Sequence, residues 1–247
     1  MQIEGRTVLV TGANRGLGKA LVDIALSRGA AKIYAAVRDP AKAEAVFAGR
    51  DRVCPIALDV TQDRSVAALA TACPDVDILV NNAAVIMLTP LIGPADTQGA
   101  RLEMETNYWG VLRMCRAFAP ILARNGGGAI MNILSLGALA SIADCGSYCA
   151  TKAAAWSLTQ CARVELAGQR THVMAVLAGG IVSEMSAHLQ DRSVLTEPAV
   201  MADNIYRGLL ENKITVFPDP LSRMIGERFV KNPWDIEAVH GGWKMAN

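Results

Sequence analysis

Tyr148 and Lys152 lie four residues apart at the start of an apolar, helix-forming run from Ala150 to Leu166, so one helix face carries a phenol and an ammonium. A free phenol titrates near 10 and carries protons poorly at neutral pH. Lowering it by about 3 units takes roughly 4 kcal/mol, and one close, partly desolvated ammonium supplies much of that. Ser135 closes a different element. It follows the strand-like stretch Ala129 to Leu134, which puts it at the carboxyl edge of a strand, where open α/β sheets bind their ligands. A hydroxyl that hydrogen-bonds a carbonyl or alcohol oxygen and a phenol that gives or takes the proton, while hydride moves elsewhere, form one coherent chemistry. The bare Tyr-x-x-x-Lys spacing also fits a surface helix pair, so its weight rests on what surrounds it.

The elements that would position these groups begin with a strand from Arg6 to Val10, a glycine-rich turn from Thr11 to Gly18 (TGANRGLG) and a helix from Lys19 to Ser27 with Leu21, Ile24 and Ala25 inward. This is a phosphate-binding βα unit. Gly12 permits the tight turn, Gly16 lets backbone approach a pyrophosphate, Gly18 lets the helix lie close, and the helix N-terminus faces the anion. Candidate contacts along it are Gly12, Asn14, Arg15, Gly16, Leu17 and Gly18. A second strand, Lys32 to Val37, runs into Arg38-Asp39-Pro40, where Asp39 reads as a helix N-cap. The third, Val53 to Leu58, ends in Asp59-Val60. Asp59 is placed either to meet an adenine or to cap the helix that starts near Gln62. A fourth, Ile78 to Val80, opens into Asn81-Asn82-Ala83-Ala84, small residues beside which a dinucleotide fits, with Asn82 and Ala83 as further candidate contacts.

A long helix is expected from Gln98 to Arg124 with Asn107 in its middle. Mid-helix asparagine is unfavourable without a task. Its amide either holds a water that links Lys152 to solvent or faces outward as an ordinary surface group. Gly126 to Gly128 break that helix before the fifth strand. A helix from Ser147 to Gly168, a sixth strand from Thr171 to Leu177, a lid over about 183–196, a helix from Glu197-Pro198 and a seventh strand from Ile214 to Phe217 complete the repeats, with right-handed crossovers expected. In the tail, 218–247, Trp234 and Trp243 are expected to pack on the body or on a neighbouring subunit.

Length suits one α/β domain over the 247 residues. Hydrophobic residues make up 52%, yet no run of about 18 apolar residues occurs, which argues against a membrane span. A net charge of +1 without a basic run argues against a nucleic-acid surface. The opening MQIEGRTVLV lacks a basic segment, a long apolar core and a cleavage site, and reads as cytoplasmic. The six cysteines show no metal spacing and suit a reducing compartment. His172, His188 and His240 share no ligand spacing, so no metal is assigned.

Thr11-Gly12, Gly16 and Gly18, then Asn81-Asn82-Ala83, Asn107, Ser135, Tyr148 and Lys152, in that order and with Ser135 thirteen residues before Tyr148, resemble the short-chain dehydrogenase/reductase family in its compact branch. The resemblance runs from Thr7 to about Phe217. It implies a doubly wound, seven-stranded parallel Rossmann sheet with helices on both faces, a nicotinamide cofactor and an Asn107-Ser135-Tyr148-Lys152 tetrad. It also implies that Lys152 holds the nicotinamide ribose and that Ile181 and Ser183 receive the carboxamide. Ala178 and Ala84 depart from the family's usual proline and glycine. Neither position carries chemistry.

Cofactor choice is read from charge. Val37 ends the second strand where an NAD site would put a carboxylate, while Arg15 and Arg38 suit a 2′-phosphate, so NADP(H) is expected. The expected activity is reduction of a carbonyl, or oxidation of an alcohol. Leu136, Ile142, Cys145, Met185 and Leu189 are mostly apolar pocket candidates and point to hydrophobic or aryl ketones. Rival readings are a sugar-nucleotide epimerase or dehydratase, disfavoured by glycine spacing, and a dinucleotide-sensing protein, disfavoured by the intact tetrad. Surplus apolar residues on two helices, including Trp109 and Trp156, lead to an expected homo-oligomer, a tetramer first and a dimer second.

Overall fold

Seven apolar runs become seven strands because each is buried on both faces, which favours a continuous Val/Ile/Leu composition over alternation. The computed structural model describes residues 1–88, 91–93, 96–186 and 192–233. His188, Leu189, Trp234, His240, Trp243, part of the expected lid and the end of the tail lie outside the described residues, as does the side chain of Met185. In chain order the elements are β1 (Thr7–Thr11), α1 (Gly16–Ser27), β2 (Lys32–Val37), α2 (Pro40–Val46), β3 (Val53–Ala57), α3 (Asp63–Ala72), β4 (Ile78–Asn81) and α4 (Gln98–Met104). There follow α5 (Gly110–Arg124), β5 (Gly128–Ser135), α6 (Gly146–Glu165), β6 (Thr171–Ala178), α7 (Pro198–Leu210), β7 (Thr215–Val216) and α8 (Pro220–Lys231).

The sheet is parallel throughout, in the order β3-β2-β1-β4-β5-β6-β7. Strand order reverses between β1 and β4, whose Val8 and Ile78 are in register, so the turns leaving these strands diverge and leave a crevice at the carboxyl edge. Alternate residues of β1 feed two cores. Val8 and Val10 pack with Leu21 and Val22 of α1 and Ile205 and Tyr206 of α7. Leu9 faces the other layer, with Leu69 of α3 and Met114 and Phe118 of α5. The doubly wound Rossmann architecture expected from the sequence is the one observed.

Three features differ from the sequence reading. The helix expected from Gln98 to Arg124 is interrupted at Glu105–Trp109 by a π-helical turn, in which the Gly110 N–H bonds the Glu105 carbonyl. Hydrophobic spacing does not register such a change in hydrogen bonding. A further helix, α8, occupies the start of the tail. Its signal is legible in retrospect: Asp219 accepts from Ser222 N at 2.8 Å, the Ser222 hydroxyl stands 3.1 Å from the Asp219 N–H, and Pro220 occupies the first turn. Finally, Trp156 is not surplus surface, because Phe229 of α8 covers it at a ring distance of 5.7 Å. Among the described residues no helix is long and apolar enough to cross a membrane, and no group of three or more metal-ligating side chains occurs.

Candidate active site

The glycine turn is shaped by close approach. Gly12 has φ +66°, and a Cβ there would stand 3.0 Å from the Ala83 Cα. Gly18 has ordinary dihedrals, but a Cβ would fall 2.1 Å from the Gly12 carbonyl oxygen. Gly16 has φ +51° and faces open space, with only the Ser183 Cβ at 3.8 Å. No side chain caps the N-terminus of α1, so its first N–H groups are free to meet an anion across Gly16. Leu17 is buried in the core behind the turn, so only its backbone can serve this cradle. We expect Gly18→Ala to cost about 1–3 kcal/mol or more, since the clashing atom is backbone. Thermal unfolding and dinucleotide titration check it, and a wild-type Tm with wild-type affinity would contradict the close-packing argument.

One hydroxyl ties this turn to the next strand. Thr11 Oγ1 accepts from the Asn82 and Ala83 N–H groups, each at 2.9 Å, and donates to the Val80 carbonyl. The Asn82 amide donates to the Thr11 and Gly12 carbonyls at 2.9 and 3.2 Å. Asn82 therefore braces the cradle from behind. At the outer end, Arg38 is exposed beyond Val37, and Asp39 caps α2 through Lys42 N, as its sequence position suggested. Of the two readings of Asp59, helix capping is not what the structure displays: the N-terminus of α3 carries no side-chain cap, and Asp59 instead holds the turn ahead of it. Its Oδ1 accepts from the Thr61 N–H at 2.9 Å and the Thr61 hydroxyl at 2.7 Å. Val60 is buried, and a Cβ at Gly110 would meet it at 2.9 Å, which makes it a packing wall. Arg15 is not a lone charge, since its guanidinium is paired with Glu184.

Past β6, Ile181 pairs with Thr196 in a single bridge, and the Ser183 hydroxyl bonds the Ile181 carbonyl at 3.3 Å. Two side chains absent from the sequence reading hold this segment. Ser186 donates to the Ile181 carbonyl. Asp219, fully buried, accepts from Gly179 N at 2.8 Å, so the cap of α8 also fixes the turn that leaves β6.

The reactive group is assembled where β5 ends. Ser135 Oγ accepts from Gly137 N at 3.1 Å, and its hydroxyl is near enough to the Tyr148 phenol to draw that group's titration down. Lys152, one turn further along α6, is buried, donates from Nζ to the Ile133 carbonyl at 2.9 Å and lies 5.5 Å from the centre of the Tyr148 ring. Asn107 sits in the π-helical turn, which places it inside rather than on the surface. Its amide does not hold a relay water through its N–H groups. Both are used, on the Val85 carbonyl at 2.9 Å and Thr151 Oγ1 at 3.0 Å, while Oδ1 accepts from Val85 N at 2.9 Å. Asn107 thus fastens the chain leaving β4 to α6. Ser135, Tyr148 and Lys152 come together; Asn107 stands one residue behind them, through Thr151.

Burial, not charge, dominates the titrations. It pulls the Lys152 ammonium down to about 8. It also pushes the Tyr148 phenol above its ordinary range, against the pull of the Ser135 hydroxyl. The expectation that one close ammonium supplies much of the lowering is not met in the ligand-free protein, because that charge is itself driven toward neutrality. Around the phenol, Leu136 is buried against Ala140 and Ile225 rather than lining a pocket. Leu91 stands over Gly146, where a Cβ would meet the leucine at 3.1 Å. With Met87, Leu88 and Ile92 it forms an exposed apolar rim after β4. Sequence reasoning missed this rim because the stretch has no periodicity.

Comparison with known proteins agrees with this geometry. Residues 6–193 match the short chain dehydrogenase family. A sorbitol dehydrogenase from Cereibacter sphaeroides is 38% identical over 190 residues, 74% of this chain and 73% of that protein. A D-erythrulose reductase from Gallus gallus is 31% identical over 187 residues, 75% of each chain. The crystal structure of a short chain dehydrogenase from Burkholderia cenocepacia J2315 in complex with NADP superposes with a TM-score of 0.90 at 37% identity, covering 96% of this chain and 98% of that one. With half of the chain and more matched, and with relatives above 30% identity across most of their own length, this protein belongs to the short chain dehydrogenase family of oxidoreductases.

Proposed function

We propose that this protein is an NADP(H)-dependent carbonyl reductase or alcohol dehydrogenase acting on hydrophobic or aryl ketones and aldehydes. The observation that carries the reading is Ser135 at the carboxyl edge of β5 with Tyr148 and, 5.5 Å from its ring, the buried Lys152 Nζ, beside a glycine cradle open to a dinucleotide phosphate. NADP(H), when bound, supplies or accepts the hydride. Gly12, Gly16 and the backbone of α1 hold its phosphates. Arg38 and Arg15 meet the 2′-phosphate, Lys152 the nicotinamide ribose, and Ile181 and Ser183 the carboxamide. Ser135 fixes the substrate oxygen, Tyr148 gives or takes the proton there, and Lys152 returns the phenol toward its ionised form once ribose hydroxyls stabilise the ammonium. The rim of Met87, Leu88, Leu91 and Ile92 favours an apolar substituent on the carbonyl. The named relatives act on a polyol and a ketose, so a sugar ketone belongs in the same assay. Loss of NADPH absorbance with aryl ketones, alkyl ketones and ketoses tests the reading. Turnover of ketoses alone would overturn the substrate class, and none with any carbonyl would overturn the activity.

Cofactor preference follows from the two arginines. Each charge-assisted phosphate contact contributes roughly 1.5–3 kcal/mol, so the pair favours NADP(H) by about a hundredfold. Glu184 lessens the Arg15 share by pairing with it. Val37→Asp combined with Arg38→Ala is expected to reverse the preference, read as the ratio of kcat/KM for the two cofactors. A wild-type ratio near one would defeat the argument.

We also infer a homo-oligomer in the cytoplasm, a tetramer ahead of a dimer. With Trp156 covered, the support rests on exposed Leu102 and Trp109 beside the π-helical turn and on Val164 of α6. Light scattering at micromolar concentration is expected to give a mass above that of one chain, and a monomer would contradict it.

A further inference from the structure

Cys145 and Cys149 flank Tyr148, and nothing in the proposed reaction uses them. Their sulfurs lie 3.8 Å apart, close enough for one thiol to donate to the other. Ile142 N donates to the Cys149 sulfur at 3.4 Å, and a Cβ at Gly137 would press on the same sulfur at 2.8 Å. Both thiols are buried, Cys145 retaining 8% exposure and Cys149 1%. Cys145 is the N-cap of α6, with non-helical backbone dihedrals, φ −142° and ψ 41°, and its N–H bonds the Ile142 carbonyl at 3.1 Å outside the helix, so its side chain is less constrained than that of Cys149 within it. A disulfide needs the sulfurs to close to about 2.05 Å, a movement this freer residue can supply.

We propose that Cys145 and Cys149 form an oxidisable dithiol, closed to a disulfide by a peroxide, which turns off the reaction at Tyr148 reversibly. The switch rests on the reductase reading above. Cys149 is the attacking sulfur: hydrogen bonds from Cys145 and from Ile142 N lower its thiol, while the same pairing and burial raise Cys145. The buried Glu103 carboxylate, and for Cys145 also Asp144, oppose a thiolate here without reversing that order. In the first step the Cys149 thiolate attacks one peroxide oxygen. The O–O bond breaks, the second oxygen leaves as water after taking a proton, and Cys149 becomes a sulfenic acid. In the second, the Cys145 sulfur attacks the sulfenyl sulfur, the S–O bond breaks, and water leaves with the thiol proton. Two thiols lose two electrons in all, and hydrogen peroxide becomes two waters. Tyr148 lies inside the closed loop of five residues, so drawing the sulfurs together twists the first turn of α6 and carries the phenol away from Ser135. The phosphate cradle on α1 is untouched.

The test uses the full-length protein treated with hydrogen peroxide, then blocked with iodoacetamide and digested with trypsin. No lysine or arginine lies between Arg124 and Lys152, so residues 125–152 emerge as one peptide containing these two cysteines and no other. The expected peptide is unalkylated and two hydrogens lighter. Carbonyl reduction is expected to fall by about a hundredfold, the scale on which a displacement of about 1 Å acts, and to return with dithiothreitol. Cys149→Ser and, should it fold poorly, Cys149→Ala are each expected to keep their own untreated activity under the same exposure. The proposal is overturned by a peptide alkylated at both cysteines, by activity that is unchanged or lost irreversibly, or by reversible loss in the Cys149 variants. The peptide mass reads the thiol chemistry whether or not any carbonyl is turned over, so a failure of the reductase reading stays separate.

Discussion

Tyr148→Phe is expected to lower kcat by about two to four orders of magnitude while leaving NADPH affinity within a few-fold of wild type. The substitution keeps the ring and removes one oxygen. The lost atom is the phenol oxygen that Ser135 influences, so the oxygen that would carry the proton is gone while the helix and cradle persist. Burial holds the phenol above its ordinary range, and catalysis near neutrality therefore depends on what the bound dinucleotide does to Lys152. The wild-type pH profile of kcat should carry a limb that the variant lacks. Stopped-flow reduction with a saturating ketone measures both, and turnover within tenfold of wild type would remove Tyr148 from the reaction.

Lys152→Met makes a two-sided expectation. Turnover and NADPH affinity both fall, since one ammonium serves ribose and phenol. Stability of the ligand-free protein does not fall with them. The folded-state value of about 8 lies below the ordinary 10.5. The unfolded chain therefore binds the proton more tightly, and keeping the buried ammonium costs roughly 3 kcal/mol at pH 7. For a base depressed in this way, wild-type stability rises as pH climbs from about 8 toward 10.5, and below that window the cost is fully present. Methionine escapes the cost but leaves the Ile133 carbonyl without its donor, which returns about 1–2 kcal/mol. The variant should match or exceed wild type in urea at pH 7 and lose that advantage by pH 10. A pH-independent difference between the two would mean that the ammonium is not desolvated.

How far the sequence speaks depends on the range of the interaction. Strand runs such as Ile78 to Asn81 and the glycines at 12 and 18 are legible because burial on both faces and backbone contact leave direct marks on residue type. Ser135, Tyr148 and Lys152 are legible from their spacing together with the strand and glycine turn that surround them. Arg15 and Glu184 are 169 positions apart in the chain, and nothing local announces their pairing. Asn107 stands out in the sequence, but its partners Val85 and Thr151 do not, because they come from two other segments. The direction of the Tyr148 titration was misjudged for a related reason: the charge was visible in the sequence and the depth of burial was not. The start of α8 carries its cap in Asp219, Pro220 and Ser222, and Leu221, Ile225 and Phe229 recur at helical spacing, so this helix is legible once both signals are read together.

The π-helical turn at Glu105–Trp109 has a consequence for chain length. Each α-helical residue advances the side-chain direction by about 100°, so a hydrogen bond spanning five residues instead of four absorbs one extra residue and sets the two flanking helices out of phase. Glu103 before the turn and Asn107 within it address the backbone of Met87 and Val85, while Met114 and Phe118 beyond it address the sheet. A continuous helix of ordinary pitch cannot satisfy both bearings. Removing a single residue between 105 and 109 would heal the ladder and turn one set of side chains away from its target, so a deletion that looks harmless on a hydropathy plot would strike the catalytic floor.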